Sequence, residues 1–159
     1  MKVRKSARAI ILNEKNEVLL FKFIFRNVVG EKVLWVTPGG GLDNHESFQE
    51  ALLRELEEET GITNFEIGEW LWTRELKIKG KHEDFISYER YYLVHSKEMN
   101  DVFTLEKMTE NEKSSLVDFR WISIEQLKRM NKEEVAPPDL AELIENISEK
   151  SCYYPIAIK

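Results

Sequence analysis

Residues 40–62 read GGLDNHESFQEALLRELEEETGI, and the fold is decided by how this stretch is read. Ser47 followed three residues later by Glu50 has the form of a capping box, so the spacing predicts a helix starting near Phe48. Thr60 and Gly61 mark its end, because glycine is the usual residue for the left-handed turn that closes a helix. Phe48, Ala51, Leu52 and Leu56 recur at helical period and form one apolar arc. At about 100° per residue, Glu55 and Glu59 fall within about 20° of Phe48. The face that is apolar in its first turn is therefore acidic in its last two. Glu55, Glu58 and Glu59 are spaced i, i+3 and i+4 and share one side. They also crowd the helix C-terminus, the end where the macrodipole disfavours anions. Each like-charge pair costs about a few tenths of a kcal/mol when exposed, and more where the dielectric falls. An ordinary solvated helix keeps its acids opposite its apolar stripe. This one calls for a cation.

Upstream, the apolar segment Val33-Leu34-Trp35-Val36 runs into Thr37-Pro38-Gly39-Gly40-Gly41-Leu42. Three consecutive glycines permit positive φ and close backbone approach, which brings peptide groups beside the acidic helix. The run lacks the lysine-serine/threonine ending of a P-loop, and no Gly-x-Gly-x-x-Gly occurs, so neither familiar nucleotide loop is present. Oxygen-only donors favour a hard cation, Mg²⁺ first and Mn²⁺ as its substitute. His45, His82 and His95 are scattered and form no zinc-type cluster. Cations held this way activate water and neutralise charge on phosphoryl groups, which points to hydrolysis of a phosphate anhydride.

The remaining sequence alternates. Ala7 to Leu12 and Val18 to Phe25 read as two strands joined by a polar turn, and Val33 to Val36 as the short strand feeding the glycines. Phe65 to Ile78 and Phe85 to Val94 are aromatic-rich strand candidates. Residues 96 to 118 are polar and acidic and read as a long loop before a last strand, Phe119 to Ile122. Ser123 and Gln126 open another capped helix, and Pro137-Pro138-Asp139 starts a final one with Leu140, Leu143, Ile144 and Ile147 on one face. Strands interleaved with amphipathic helices imply a layered α/β fold. The 159 residues, 42% hydrophobic and 33% charged, suit a single domain over 1–159 with a real core. A net charge of −6 gives no global attraction to a nucleic acid polymer, although bound divalent cations can reverse the sign locally. No apolar run is long enough for a membrane span, and the N-terminus lacks a signal-peptide core. The lone cysteine, Cys152, excludes an internal disulfide; the expected location is cytoplasmic.

At every specified position, Gly40, Glu46, Arg54, Glu55, Leu56, Glu58, Glu59, Gly61 and Ile62, the stretch matches the Nudix box, and the chain resembles the Nudix hydrolase superfamily of MutT-like proteins. Phe119 to Leu127 is similar to the late strand and helix of that family. The resemblance implies a Nudix fold, a mixed β-sheet sandwiched between α-helices. It further implies a pyrophosphohydrolase that cuts the diphosphate bridge of a small-molecule nucleotide, a nucleoside diphosphate linked to another group. By the same resemblance Glu58, Glu59 and Glu55 are metal ligands, helped by a backbone carbonyl at Gly39 or Gly40, and Glu55 is alternatively the general base. Arg54 would hold an acid by a bidentate pair, and Glu46 would orient the site or occasionally ligate. One more acid is expected from a later loop, with Glu106, Glu110 and Glu112 all open. Arg8 is a candidate for phosphate or base contact beside Gly39 and Gly41, and Trp35, Trp70, Trp72 and Tyr88 are candidates for stacking. Marks of the ADP-ribose, dinucleoside polyphosphate and NADH subfamilies are missing. A nucleotide-sensing or protein-binding domain without turnover is the alternative, but no box position is lost. An isoprenoid diphosphate isomerase would need a cysteine near the site, and Cys152 is poorly placed. The family pattern leaves a homodimer open.

Overall fold

The computed structural model of the chain describes residues 1–96, 106–147 and 154–159. Among these the order is β1 (Lys2–Ile11), β2 (Val18–Phe25), β3 (Lys32–Val36), β4 (Gly39–Gly41), α1 (Phe48–Thr60), β5 (Phe65–Ile78), β6 (Phe85–Ser96), α2 (Glu110–Ser115), β7 (Leu116–Ile122), α3 (Ile124–Arg129), β8 (Val135–Ala136), α4 (Leu140–Ile147) and β9 (Ile156–Ile158). The strands form two mixed sheets, a five-stranded one ordered β4-β1-β6-β5-β9 and a four-stranded one ordered β7-β2-β3-β8. β1 runs parallel to β6, pairing Lys2 with Phe85 and Ile11 with Val94, and its other edge pairs antiparallel with β4, Arg8 opposite Gly39.

Alternation along β1 and β2 sends side chains to two separate cores. Ala7, Ala9, Ile11, Leu19 and Phe21 pack with Leu52 and Leu56 of α1, whereas Ile10, Val18 and Leu20 pack with Trp35, Trp72, Tyr91 and the helices α3 and α4. Strands buried on both faces read as continuous apolar runs, and Val18-Leu19-Leu20-Phe21 is such a run. The result is the layered α/β arrangement expected, with mixed sheets between helices and the sheet divided in two. α1 is capped as its sequence predicts. The Ser47 side chain accepts from Glu50 N–H, Glu50 reaches back to Ser47, and Gly61 adopts the left-handed conformation at φ 75°. At its first residue, Phe48, the helix is pinned by the Arg90 guanidinium, which lies 4.0 Å from the ring centroids of both Phe48 and Trp70.

Three readings change. β1 starts at Lys2 rather than Ala7, because exposed residues without an apolar pattern still pair with β6. The long loop of 96–118 holds α2 and the first residues of β7; Thr109 and Glu112 form a full capping box, the same signal that announces α1 and α3. Residues 97–105 and Cys152 lie outside the described residues. The short strands β8 and β9 were not foreseen.

Candidate active site

The site is built where β4 and α1 meet. Gly39 has φ 133°, and a Cβ there would run into the Ala7 carbonyl of the paired strand, so only glycine fits. Gly40 is less constrained, because an added Cβ would stand 2.5 Å from the Glu55 carboxyl carbon, the movable end of a side chain. Peptide and carboxylate are in direct contact.

Carboxylate oxygens of Glu55, Glu58 and Glu112 lie within 4.8 Å of one another, close enough to hold one ion. Glu112 arrives from outside the box because Met108 is buried in the core beneath α1, Lys107 bridges to Glu57 at 2.6 Å, and Thr109 then starts α2. Of the three late acids left open by the sequence, Glu112 joins the group. Glu106 and Glu110 do not. Three oxygen donors at this spacing fit a hard divalent cation that completes its shell with water and phosphate oxygens.

Arg54 organises the outer side. Its Nε and NH2 donate to the two Glu46 oxygens at 2.8 and 2.9 Å, a bidentate pair. NH1 reaches Glu55 at 3.1 Å and Glu58 at 3.4 Å, and NH2 also donates to the Gly41 carbonyl at 2.9 Å. Glu46 is held down at about 2, first by the Arg54 hydrogen bonds and then by the Asp43 N–H. Glu55 is pushed up to about 7, chiefly by burial; Arg54 opposes this, and the negative charges of Glu112 and Glu58 add to it.

Glu59 stands apart from Glu58. It is 1% exposed and accepts the Gly39 N–H at 2.7 Å rather than joining the other three acids. Burial, then the charge of Glu55, drives its carboxyl well above the usual range, while the Gly39 N–H and Arg8 oppose the rise. The two acids that the sequence paired as ligands therefore face different partners.

Arg8 and Trp35 also differ from the sequence reading. Strand alternation puts Arg8 on the same side of β1 as Ile10, where NH1 donates to the carbonyls of Thr37 and Gly39 at 3.2 Å each and Nε lies 3.4 Å from Glu89. NH1 thus serves the glycine loop and Nε faces Glu89. Trp35 is 7% exposed and belongs to the core under α3 and α4, with Lys22 and Arg120 over its ring at 5.6 Å. A ring so covered packs; it does not present a stacking face. Two residues escaped the sequence reading altogether, Glu89 and Arg74, joined at 3.2 Å. Their signal was available, a charge placed at mid-strand among aromatic and apolar neighbours.

The match to a family model for the NUDIX domain runs over residues 2–146. A stretch of 65 residues is 37% identical to the RNA pyrophosphohydrolase of Pelagibacter ubique (strain HTCC1062), spanning 41% of this chain and only 39% of that protein's length. The MutT protein of Methanosarcina mazei Go1 is similar in fold, with a TM-score of 0.66 and 24% identity over 94% of this chain and 97% of that one. So is a C. elegans Ap4A hydrolase in a binary complex, with a TM-score of 0.62 and 21% identity over 91% and 95%. At these identities the structural likeness is one of fold. With the box, the two-sheet architecture and a family match over nearly its whole length, the chain belongs to the NUDIX domain family.

Proposed function

We propose that the chain is a metal-dependent pyrophosphohydrolase acting on a nucleoside diphosphate linked to a further group, with Mg²⁺ as cofactor and Mn²⁺ as its substitute. The observation that carries this is the convergence of Glu55, Glu58 and Glu112 within 4.8 Å, with Arg54 tying two of them to Glu46. A divalent cation at this place supplies Lewis acidity toward the phosphoryl oxygens and an activated water. Glu55, Glu58 and Glu112 would hold it, and a backbone carbonyl of the glycine loop, Gly40 by the family resemblance, would assist. Glu55, where it acts as general base, would take the proton of the attacking water. Glu59 supports the arrangement from below through Gly39, and the Arg54–Glu46 pair keeps the helix acids in place. Among the described residues no helix is long and apolar enough to cross a membrane.

The test is a phosphate-release panel with coupled pyrophosphatase. It covers nucleoside triphosphates (oxidised ones included), nucleotide sugars, ADP-ribose, NADH, dinucleoside polyphosphates and, prompted by the name of the Pelagibacter relative, 5′-triphosphorylated RNA. Each is run with Mg²⁺, Mn²⁺ or EDTA. Turnover of one class that EDTA abolishes is the expected result. A folded, metal-binding protein silent on the whole panel would instead support a sensing domain.

A further inference from the structure

The glycine loop is gripped from two sides, and only the outer grip uses the helix acids. On the inner side, away from α1, Arg8 NH1 donates to the carbonyls of Thr37 and Gly39. Arg8 is in turn held by Glu89, whose Oε2 lies 3.4 Å from Arg8 Nε. The other Glu89 oxygen accepts from Arg74 NH1 at 3.2 Å and from the Tyr91 hydroxyl at 3.1 Å. Glu89 is 8% exposed and Arg74 9%, so a single buried carboxylate is shared by two guanidinium groups.

We propose that Glu89 is a positioning residue for the metal site: through Arg8 it fixes the glycine loop, and the loop sets the carboxylates. The proposal rests on the pyrophosphohydrolase reading above. The connection is continuous. Arg8 fixes the Gly39 carbonyl, the Gly39 N–H holds Glu59 at 2.7 Å, the Glu55 carboxylate fills the space a Cβ at Gly40 would take, and the Gly41 carbonyl receives Arg54 NH2 at 2.9 Å. A shift of the loop therefore reaches Glu55, Glu59 and Arg54 together.

Glu89 also keeps a positive charge away from the acids. Arg8 already feels the fields of Glu59 and Glu55 after those of Glu89 and Tyr91. Without Glu89, two guanidinium groups would be left buried with no carboxylate between them, a costly arrangement. Arg8 would then turn from the loop carbonyls toward Glu59 and Glu55, withdrawing negative charge from the ion's site. Groups that orient ligands without touching the ion are typically worth about 10- to 100-fold in metal affinity.

Glu89→Gln and Arg8→Lys are compared with the wild-type chain; the second keeps a buried cation but has one nitrogen where Arg8 uses Nε toward Glu89 and NH1 toward both carbonyls, and it serves if the first fails to fold. Mn²⁺ affinity is read by electron paramagnetic resonance without nucleotide, and Gly39 amide exchange by NMR on ¹⁵N-glycine protein. Melting temperature is recorded alongside, with kcat and KM at saturating metal on the substrate found. Expected are Mn²⁺ binding weaker by about 10-fold or more, faster exchange at Gly39, and a nucleotide KM within about twofold of wild type. Unchanged Mn²⁺ affinity and Gly39 exchange overturn the proposal, with a raised KM making Glu89 a substrate contact and a lowered melting temperature alone making it a packing residue. Wild-type protein that binds no Mn²⁺ overturns the underlying reading as well, so the two failures are distinguishable.

Discussion

The two arginine-centred networks on either side of the glycine loop carry opposite imbalances of charge. On the outer side one guanidinium, Arg54, lies within ion-pair distance of four carboxylates, Asp43, Glu46, Glu55 and Glu58. On the inner side two guanidinium groups, Arg8 and Arg74, share Glu89. The Arg54 side chain is 28% exposed, whereas those of Arg74 and Glu89 are 11% exposed. An excess of acid is tolerable where water and an arriving cation can reach it. A sealed network has no such relief, so its partners must be right when the chain folds. Change on the outer side should therefore alter chemistry and spare the fold, whereas change on the inner side should cost stability and reach the chemistry only through the glycine loop.

The largest expected effect lies in the core that adjoins the inner network at Tyr91. Trp35→Ala should remove about 3–5 kcal/mol of stability, the usual cost of emptying a buried aromatic site. Urea unfolding measures it, and the folded fraction should keep its nucleotide KM. Retained stability with a raised KM would restore Trp35 as a stacking residue. Next comes Glu58→Gln on the outer side, which deletes a ligand without deleting volume. Turnover at saturating metal should fall about 100-fold, or about 2.7 kcal/mol, with the melting temperature nearly unchanged. Wild-type-like turnover would remove Glu58 from the site.

The smallest effect sharpens the contrast through pH. Glu55 titrates at about 7 in the folded, metal-free protein against an ordinary value of 4.5. A carboxyl raised on folding contributes stability that is whole below about 4.5 and is lost as the pH climbs through about 7. Glu46, lowered to about 2, acts with the opposite sign in a different window, its stability disappearing as the pH falls from about 4.5 to about 2. The melting temperature of metal-free protein should thus drop by a few degrees between pH 5 and pH 7.5, and added Mg²⁺ should recover it. A melting temperature that rises with pH across this window would show that Glu55 is not held in a desolvated place.

Local signals gave the elements and half of the site. β2 and β5 run over Val18–Phe25 and Phe65–Ile78 as their apolar and aromatic patterns suggest, and α1 begins and ends at its caps. Arg54 meets Glu46 because both lie in one short motif that folds on itself. Glu112 was one of three equal candidates, since its approach depends on where Met108 is buried, a fact of packing across the chain. The surroundings of Arg8 and Trp35 are not legible in the sequence, because periodicity tells which side of a strand a residue takes but not what covers that side. β8 and β9, of two and three residues, are too short to carry a pattern and exist only through pairing with β3 and β5.

The pairing of β1 has a consequence for how the chain comes together. Its parallel contact joins Lys2 to Phe85, so this first-made strand waits for half the chain before that side can zip. Its antiparallel contact joins Ser6 to Gly41, a much shorter loop to close. Distant pairings form slowly, and the nearer one carries the lower entropic cost. The order expected during synthesis is thus β4 against β1 first and β6 afterwards. The glycine strip would be docked before the sheet behind it is complete, and the acidic helix would emerge next to a floor already laid.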